Sequence, residues 1–486
     1  MKHIANNYLR VLVVLLLLAP SMVYSQIRLS KVIGNNMVLQ QGTKVNIWGD
    51  AQPNESITVK FQKQTKKTKA DADGKWAVIL DELGATKIPQ RLIISGKKDR
   101  IVLQNILIGE VWLASGQSNM EYSMNNHPQF AKPERGAKNY LNDEYKAADS
   151  PVIRVLYVEK NIKTDTLPSK GWQMINEETL APISAIGYFF AKSLLKNLDV
   201  PVGIISSSWG GTPIETWTPE AAYLSSTTFQ NKINDNKLNG VTIGERYKKM
   251  IEPLAPYSLK GILWYQGETN VINGDGYNYA EKMKIFVESW RSAWNNEIMP
   301  FYYVQLAPYI YSQRRDDLIA KTWESLPIFW EAQTSCMNIP YTGMVVTTDL
   351  VDNPKDIHPS YKWIVADRLA RWALAKSYGK KDILYSGPSF KSLSMNNDKI
   401  ILEFDNVGSG LVTSDGKAPD WFYIKKKNGR FAKTKATIHD NKIVITADDI
   451  YEPMSIRFAW DEVAMPNLQN KEGLPALPFV FDGENK

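Results

Sequence analysis

Between residues 106 and 379 one pattern repeats: a short, continuous apolar run, then a segment with helical periodicity. The runs "EVWLAS", "VIRVLYV", "VGIISSS", "GILWYQ", "FYYVQLA" and "MVVTTDL" are apolar on successive residues. A strand of that kind is stable only where both faces of its sheet are covered. The intervening segments supply the cover: Ile186, Phe189, Phe190 and Leu194 share one helical face, and "YKWIVADRLARWALA" repeats the pattern. The alternation predicts an α/β domain with a parallel sheet between helices. Residues 26–105 instead alternate apolar and polar positions between Gly, Pro, Asn and Asp turns, as do "KIILEF", "WFYIKKK", "KIVITA" and "SIRFAW" beyond residue 380. Two all-β modules, 26–105 and 380–486, therefore flank the 106–379 domain.

The first 25 residues follow a different logic. Lys2 and Arg10 precede the apolar "VLVVLLLLAP", and small residues end at Ser25. This is the layout of a cleaved secretory signal, too short to span a bilayer comfortably, and it predicts a periplasmic or secreted protein with no stable membrane insertion. Without Lys2 and Arg10, 56 basic residues remain against 51 acidic ones, a net charge of +5 that gives no reason to expect a nucleic-acid partner. Cys336 is the only cysteine, so neither an internal disulfide nor a thiolate metal cage is possible.

In an open α/β sheet, ligands gather beyond the carboxyl ends of the strands. Four polar clusters are expected there: Gly116 to Asn119, Trp209 to Thr212, Gln266 to Asn270, and "DNPKDIHP" after "VVTTDL". A serine needs a base to act as a nucleophile near neutral pH. Of the four histidines, His3 leaves with the leader, His439 lies in a β turn, and His127 follows Ser118 in a polar loop. His358 alone occupies a strand-end loop, and Asp356 stands two residues before it, able to fix a tautomer and stabilise the imidazolium. An oxyanion would need preorganised donors. The amide of Ser118, a bare amide at Gly210 or Gly211, and the Gln266 side chain are the candidates.

The stretches "GQSNM", "WGGTPIETW", "WYQGETN" and "DIHP" resemble the sialate O-acetylesterase family of the SGNH hydrolases, and "NNMVLQQGTKVNIWGDA", "DGKW" and "NLQNKEGLPALPF" extend the likeness over nearly the whole mature chain. The resemblance implies a flavodoxin-like three-layer α/β/α sandwich, Ser118 as nucleophile, His358 as base, and Gly210, Gly211 and Gln266 as oxyanion donors. Gln266 stands where many relatives in the superfamily use asparagine. It further implies removal of O-acetyl groups from sialic acids through an acyl-serine, with an O-acetylated sugar as partner and no cofactor or metal. One position departs: the superfamily acid usually lies three residues before the histidine, where this chain has Lys355. Asp349, Asp352 and Glu268 therefore stand beside Asp356 as candidate acids.

Other readings compete. A lipase-like elbow would place glycine where Met120 stands. A glycosidase would pair Glu268 with an Asp of the last loop, and a metal could sit among Asp349, Asp352 and His358. Acetylated xylan or pectin could replace sialic acid as substrate, or the β modules could make this a non-catalytic carbohydrate-binding protein. Trp112, Trp209, Trp217, Trp264 and Tyr265 could stack on sugar faces or pack the core. The acetylated position and the oligomeric state have no signature in the sequence.

Overall fold

The run "VWLAS" is the end of a 17-residue strand, Arg100–Gly116 (β1), that serves two sheets in turn. Its first half pairs antiparallel with Thr86–Ser95 of the N-terminal module. Its second half runs parallel to the central strands, so the expected boundary between residues 105 and 106 falls inside one continuous strand. The computed structural model describes residues 26–125, 133, 140–164, 166–315, 319–396, 399–446 and 455–483. The leader and His127 lie outside them.

After β1 come a short helix, Ser118–Glu121 (α1), and the strands Ser150–Tyr157 (β2) and Trp172–Ile175 (β3). Helix Ala185–Leu198 (α2) leads to Val202–Ser208 (β4) and Gly261–Tyr265 (β5). Helices Glu268–Ile272 (α3) and Asn278–Ala293 (α4) then precede Phe301–Val304 (β6), Thr342–Val345 (β7) and Lys362–Trp372 (α5). The core of the sheet has the order β3-β2-β4-β1-β5-β6-β7. All neighbours are parallel except the β3–β2 edge pair.

Side-chain alternation decides which helix covers which face. On one face Trp112 of β1 meets Phe190 of α2 at 5.0 Å between ring centres, and Tyr302 of β6 meets Trp372 of α5 at 6.0 Å. Gly261 is level with Trp112, so Trp264, three residues later, points the other way. There it packs on Phe286 and Trp290 of α4, 4.3 Å and 5.8 Å away.

The C-terminal module consists of antiparallel sheets. It braces the segment after β6: Tyr309 N–H donates to Glu462 O at 3.0 Å, Ser312 N–H to Glu462 Oε2 at 2.9 Å, and Arg457 Nη1 to Glu324 Oε1 at 2.8 Å. One role of this module is thus to fix a long connection bordering the carboxyl edge of the sheet.

Candidate active site

The register brings three of the four polar clusters to one level. Gly116 lies opposite Ser208 of β4 on one side and Tyr265 of β5 on the other. The ladder continues one residue further, with Trp209 N–H donating to Gly116 O at 3.0 Å and Gln117 N–H to Tyr265 O at 2.9 Å. Gly116 has φ +144°, and a Cβ there would lie 2.1 Å from Tyr265 O, so the turn into α1 admits only glycine. Ser118 is the first residue of α1, where a backbone N–H has no partner within the helix. Gly210 packs directly on it: a Cβ on Gly210 would be 3.1 Å from Ser118 Cβ.

The Gly210 N–H is nevertheless occupied, donating to Glu121 Oε2 at 2.5 Å, while Lys160 Nζ holds Glu121 Oε1 at 2.6 Å. To serve an oxyanion, Gly210 must release Glu121. The amides of Ser118 and Gly211 carry no such bond among the described residues.

Gln266 departs further from expectation. Its side chain is buried at 1% exposure, and Nε2 faces three acceptors: Asn270 Oδ1 at 2.6 Å, Gln117 Oε1 at 3.1 Å and Thr212 O at 3.2 Å. Its Oε1 accepts from Tyr279 Oη at 3.0 Å. In this arrangement both amide hydrogens are engaged by protein and none is offered to an oxyanion. Gln266 instead ties the nucleophile loop to its neighbours, because Gln117 Oε1 also faces the Gly267 and Thr269 N–H groups at the start of α3. Behind it, Lys282 is fully buried between Glu215 Oε1 at 2.5 Å and Asp275 Oδ1 at 2.6 Å, and Asn270 Nδ2 bridges both carboxylates.

The histidine loop reaches Ser118 through the next residue along. Asn119 Nδ2 donates to Ile357 O at 3.0 Å, which joins the neighbour of the serine to the neighbour of the histidine. His358 is partly buried, and burial first, then the charge of Lys362, lowers its pKa to about 4, opposed by Asp356 and Glu121. A neutral imidazole is the form a general base requires.

The acids separate clearly. Asp349 forms a two-pronged pair with Arg368, at 2.7 Å and 2.6 Å. Asp352 Oδ1 accepts from Tyr361 Oη at 2.7 Å. Glu268 is buried at 3% exposure, with Oε1 accepting from Asn119 Nδ2. Asp356 Oδ1 accepts the backbone N–H of His358 at 2.9 Å and stands 3.8 Å from Nδ1. It is next to the ring, at a distance of charge attraction and not of a hydrogen bond. Asp349 and Asp352 thus have structural partners where a metal was considered, and the described residues hold no group of three His, Cys, Asp or Glu arranged for a metal ion.

Four of the five aromatic candidates are core residues: Trp112, Trp217, Trp264 and Tyr265 are buried. Trp209 is partly exposed, with the Arg246 guanidinium 4.8 Å over its ring and Glu245 paired to Arg246. The sequence reading missed Asn119, Glu121, Glu215, Asn270 and Lys362. Asn119, Glu215 and Asn270 lie inside the motifs that located the site and Glu121 directly follows one, so each could have been asked for a role alongside its neighbour. Lys362, among apolar helical positions, gave no such signal.

The sequence profile of a family described as "Carbohydrate esterase, sialic acid-specific acetylesterase" matches residues 108–373. The sialate O-acetylesterase of Homo sapiens is 29% identical over 491 residues, 93% of this chain and 92% of that protein. The sialate O-acetylesterase of Pongo abelii is 27% identical over 494 residues, with the same two coverages of 93% and 92%. Among solved structures, a carbohydrate acetylesterase from Xanthomonas citri superposes with a TM-score of 0.82 at 32% identity, covering 94% of this chain and 100% of that one.

Proposed function

Since this chain belongs to the sialic acid-specific carbohydrate esterase family and is an esterase, we propose that it is a secreted or periplasmic enzyme removing O-acetyl groups from sialic acids through Ser118, on a flavodoxin-like SGNH sandwich. The observation that carries the reading is the Asn119–Ile357 bond, which sets the serine at the head of α1 beside the loop of a neutral histidine. His358 takes the hydroxyl proton as Ser118 Oγ attacks the acetyl carbonyl. The oxyanion that forms faces the Ser118 and Gly211 amides, joined by Gly210 when Glu121 moves aside. Collapse of the tetrahedral intermediate breaks the ester bond, and His358 returns the proton to the departing sugar oxygen. Water then gives a proton to His358 and attacks the acyl-serine, and acetate leaves as Ser118 recovers its proton.

Two features support an anionic sugar outside the cell. Arg246 lies over the ring of Trp209, next in sequence to Gly210, and would exchange its Glu245 partner for the carboxylate of a sialic acid. The leader pattern of residues 1–25 supports export, and no helix among the described residues is long and apolar enough to cross a membrane. Acetate release from O-acetylated sialic acids and from acetylated xylan, with a serine-directed phosphonate as label, tests the proposal. Preference for the sialic acids and labelling at Ser118 are expected. Preference for xylan would move the substrate, and absence of labelling would remove Ser118 as the nucleophile.

A further inference from the structure

Lys362 opens α5 with a side chain entirely withdrawn from solvent. A cation there opposes the helix dipole and loses its hydration, so its retention asks for a reason. Its Nζ donates to Asn119 Oδ1 at 2.5 Å and lies 4.8 Å and 5.4 Å from the ring centres of Tyr122 and Tyr265. The other end of the Asn119 amide faces two acceptors, Glu268 Oε1 at 2.5 Å and Ile357 O at 3.0 Å. The ammonium holds the amide oxygen, and the carboxylate and carbonyl hold the amide NH2. A flipped amide would set NH2 against the cation and oxygen against the carboxylate, so the two charges leave it one orientation.

We propose that Lys362 and Glu268 are positioning residues that lock the Asn119 amide, and through its bond to Ile357 hold the Ser118 helix in register with the His358 loop. The unit rests on the reading of Ser118 and His358 as nucleophile and base. It accounts for a buried lysine and a buried glutamate that acyl transfer does not otherwise use. A displacement of about 1 Å between nucleophile and base can lower turnover by roughly 10²-fold. Lys362 also acts on the base electrostatically. Among the groups facing His358, burial aside, Lys362 on α5 pushes its pKa down while Asp356 on its own loop and Glu121 on α1 push it up; burial in turn lowers the Lys362 pKa to about 7, opposed by Glu268 on α3 and by Asp356.

The test compares Asn119→Ala, Lys362→Met and Lys362→Arg with Ser118→Ala, measuring acetate release against pH, Ser118 labelling by the phosphonate, and thermal unfolding. In folded Asn119→Ala and Lys362→Met, kcat should fall roughly 10²-fold with KM within about twofold, since the defect lies in registration and not in substrate contact. In Lys362→Met the acid limb of kcat/KM should move to higher pH, and Lys362→Arg, which keeps the charge, should return it. If Ser118→Ala is inactive while Asn119→Ala and Lys362→Met keep wild-type kcat and acid limb, the positioning role is wrong. Activity retained in Ser118→Ala sinks the underlying assignment instead. Should Lys362→Met not fold, Asn119→Ala decides by the same kcat criterion.

Discussion

Gly210 lies so close to Ser118 that a Cβ on the glycine would sit 3.1 Å from the serine Cβ and 3.2 Å from Glu121 Oε2. Three groups from two loops thus meet at one point. Gly210→Ala should therefore displace the serine or the Glu121 carboxylate and lower turnover by roughly 10²-fold, with thermal stability little changed. Steady-state kinetics beside a melting curve checks this; unchanged kcat would show that the contact has room to relax.

Ser118→Ala should abolish acetate release and phosphonate labelling in a folded protein. Loss of a triad nucleophile lowers turnover by roughly 10⁴ to 10⁶. Activity within tenfold of wild type would remove the nucleophile assignment.

For the acids, the expected results differ in kind. Asp356→Asn should lower kcat by about 10²- to 10⁴-fold through the loss of charge beside the imidazole. Asp349→Asn should leave Arg368 without its carboxylate and reduce stability, with kcat little affected. Chemical denaturation and acetate release on both variants separate the two; the reverse pattern would move the acid to Asp349.

The pH profile follows from the His358 pKa of about 4, below the ordinary value of 6.5. Because the base works only when neutral and its pKa is lowered, kcat/KM should stay level from neutrality to about pH 5 and fall as pH drops through about 4. An acid limb near 6.5 would mean that the imidazole is better solvated or more strongly paired than its burial indicates.

Gln266→Ala should destabilise the protein by about 1–3 kcal/mol, because in a buried site Thr212 O loses its donor and Asn270 Oδ1 and Gln117 Oε1 each lose one of theirs. Urea unfolding measures it. A fall in kcat of roughly 10² to 10³ with unchanged stability would instead identify an oxyanion donor that turns outward during the reaction.

Much of this protein follows from local sequence. Runs such as "VGIISSS" are apolar on every face because their strands are covered on both, and β4 is buried along its whole length. Gly116, Ser118, Gly210 and His358 were identifiable because strand ends in such a sheet converge whatever the details of packing. What sequence could not give is the direction of a side chain once it arrives. Gln266 and Ser118 both follow apolar strands, yet Gln266 turns into a buried network and Ser118 stays half-exposed. The partners that decide this, Gln117 and Thr212 for the one and Gly210 for the other, come from different segments. The same holds for β1, where periodicity marked a change of module but only pairing partners showed one strand crossing it. Lys362 is the clearest case: nothing local in α5 says where its side chain goes, and only Asn119, Tyr122 and Tyr265, from other segments, enclose its Nζ in the folded protein.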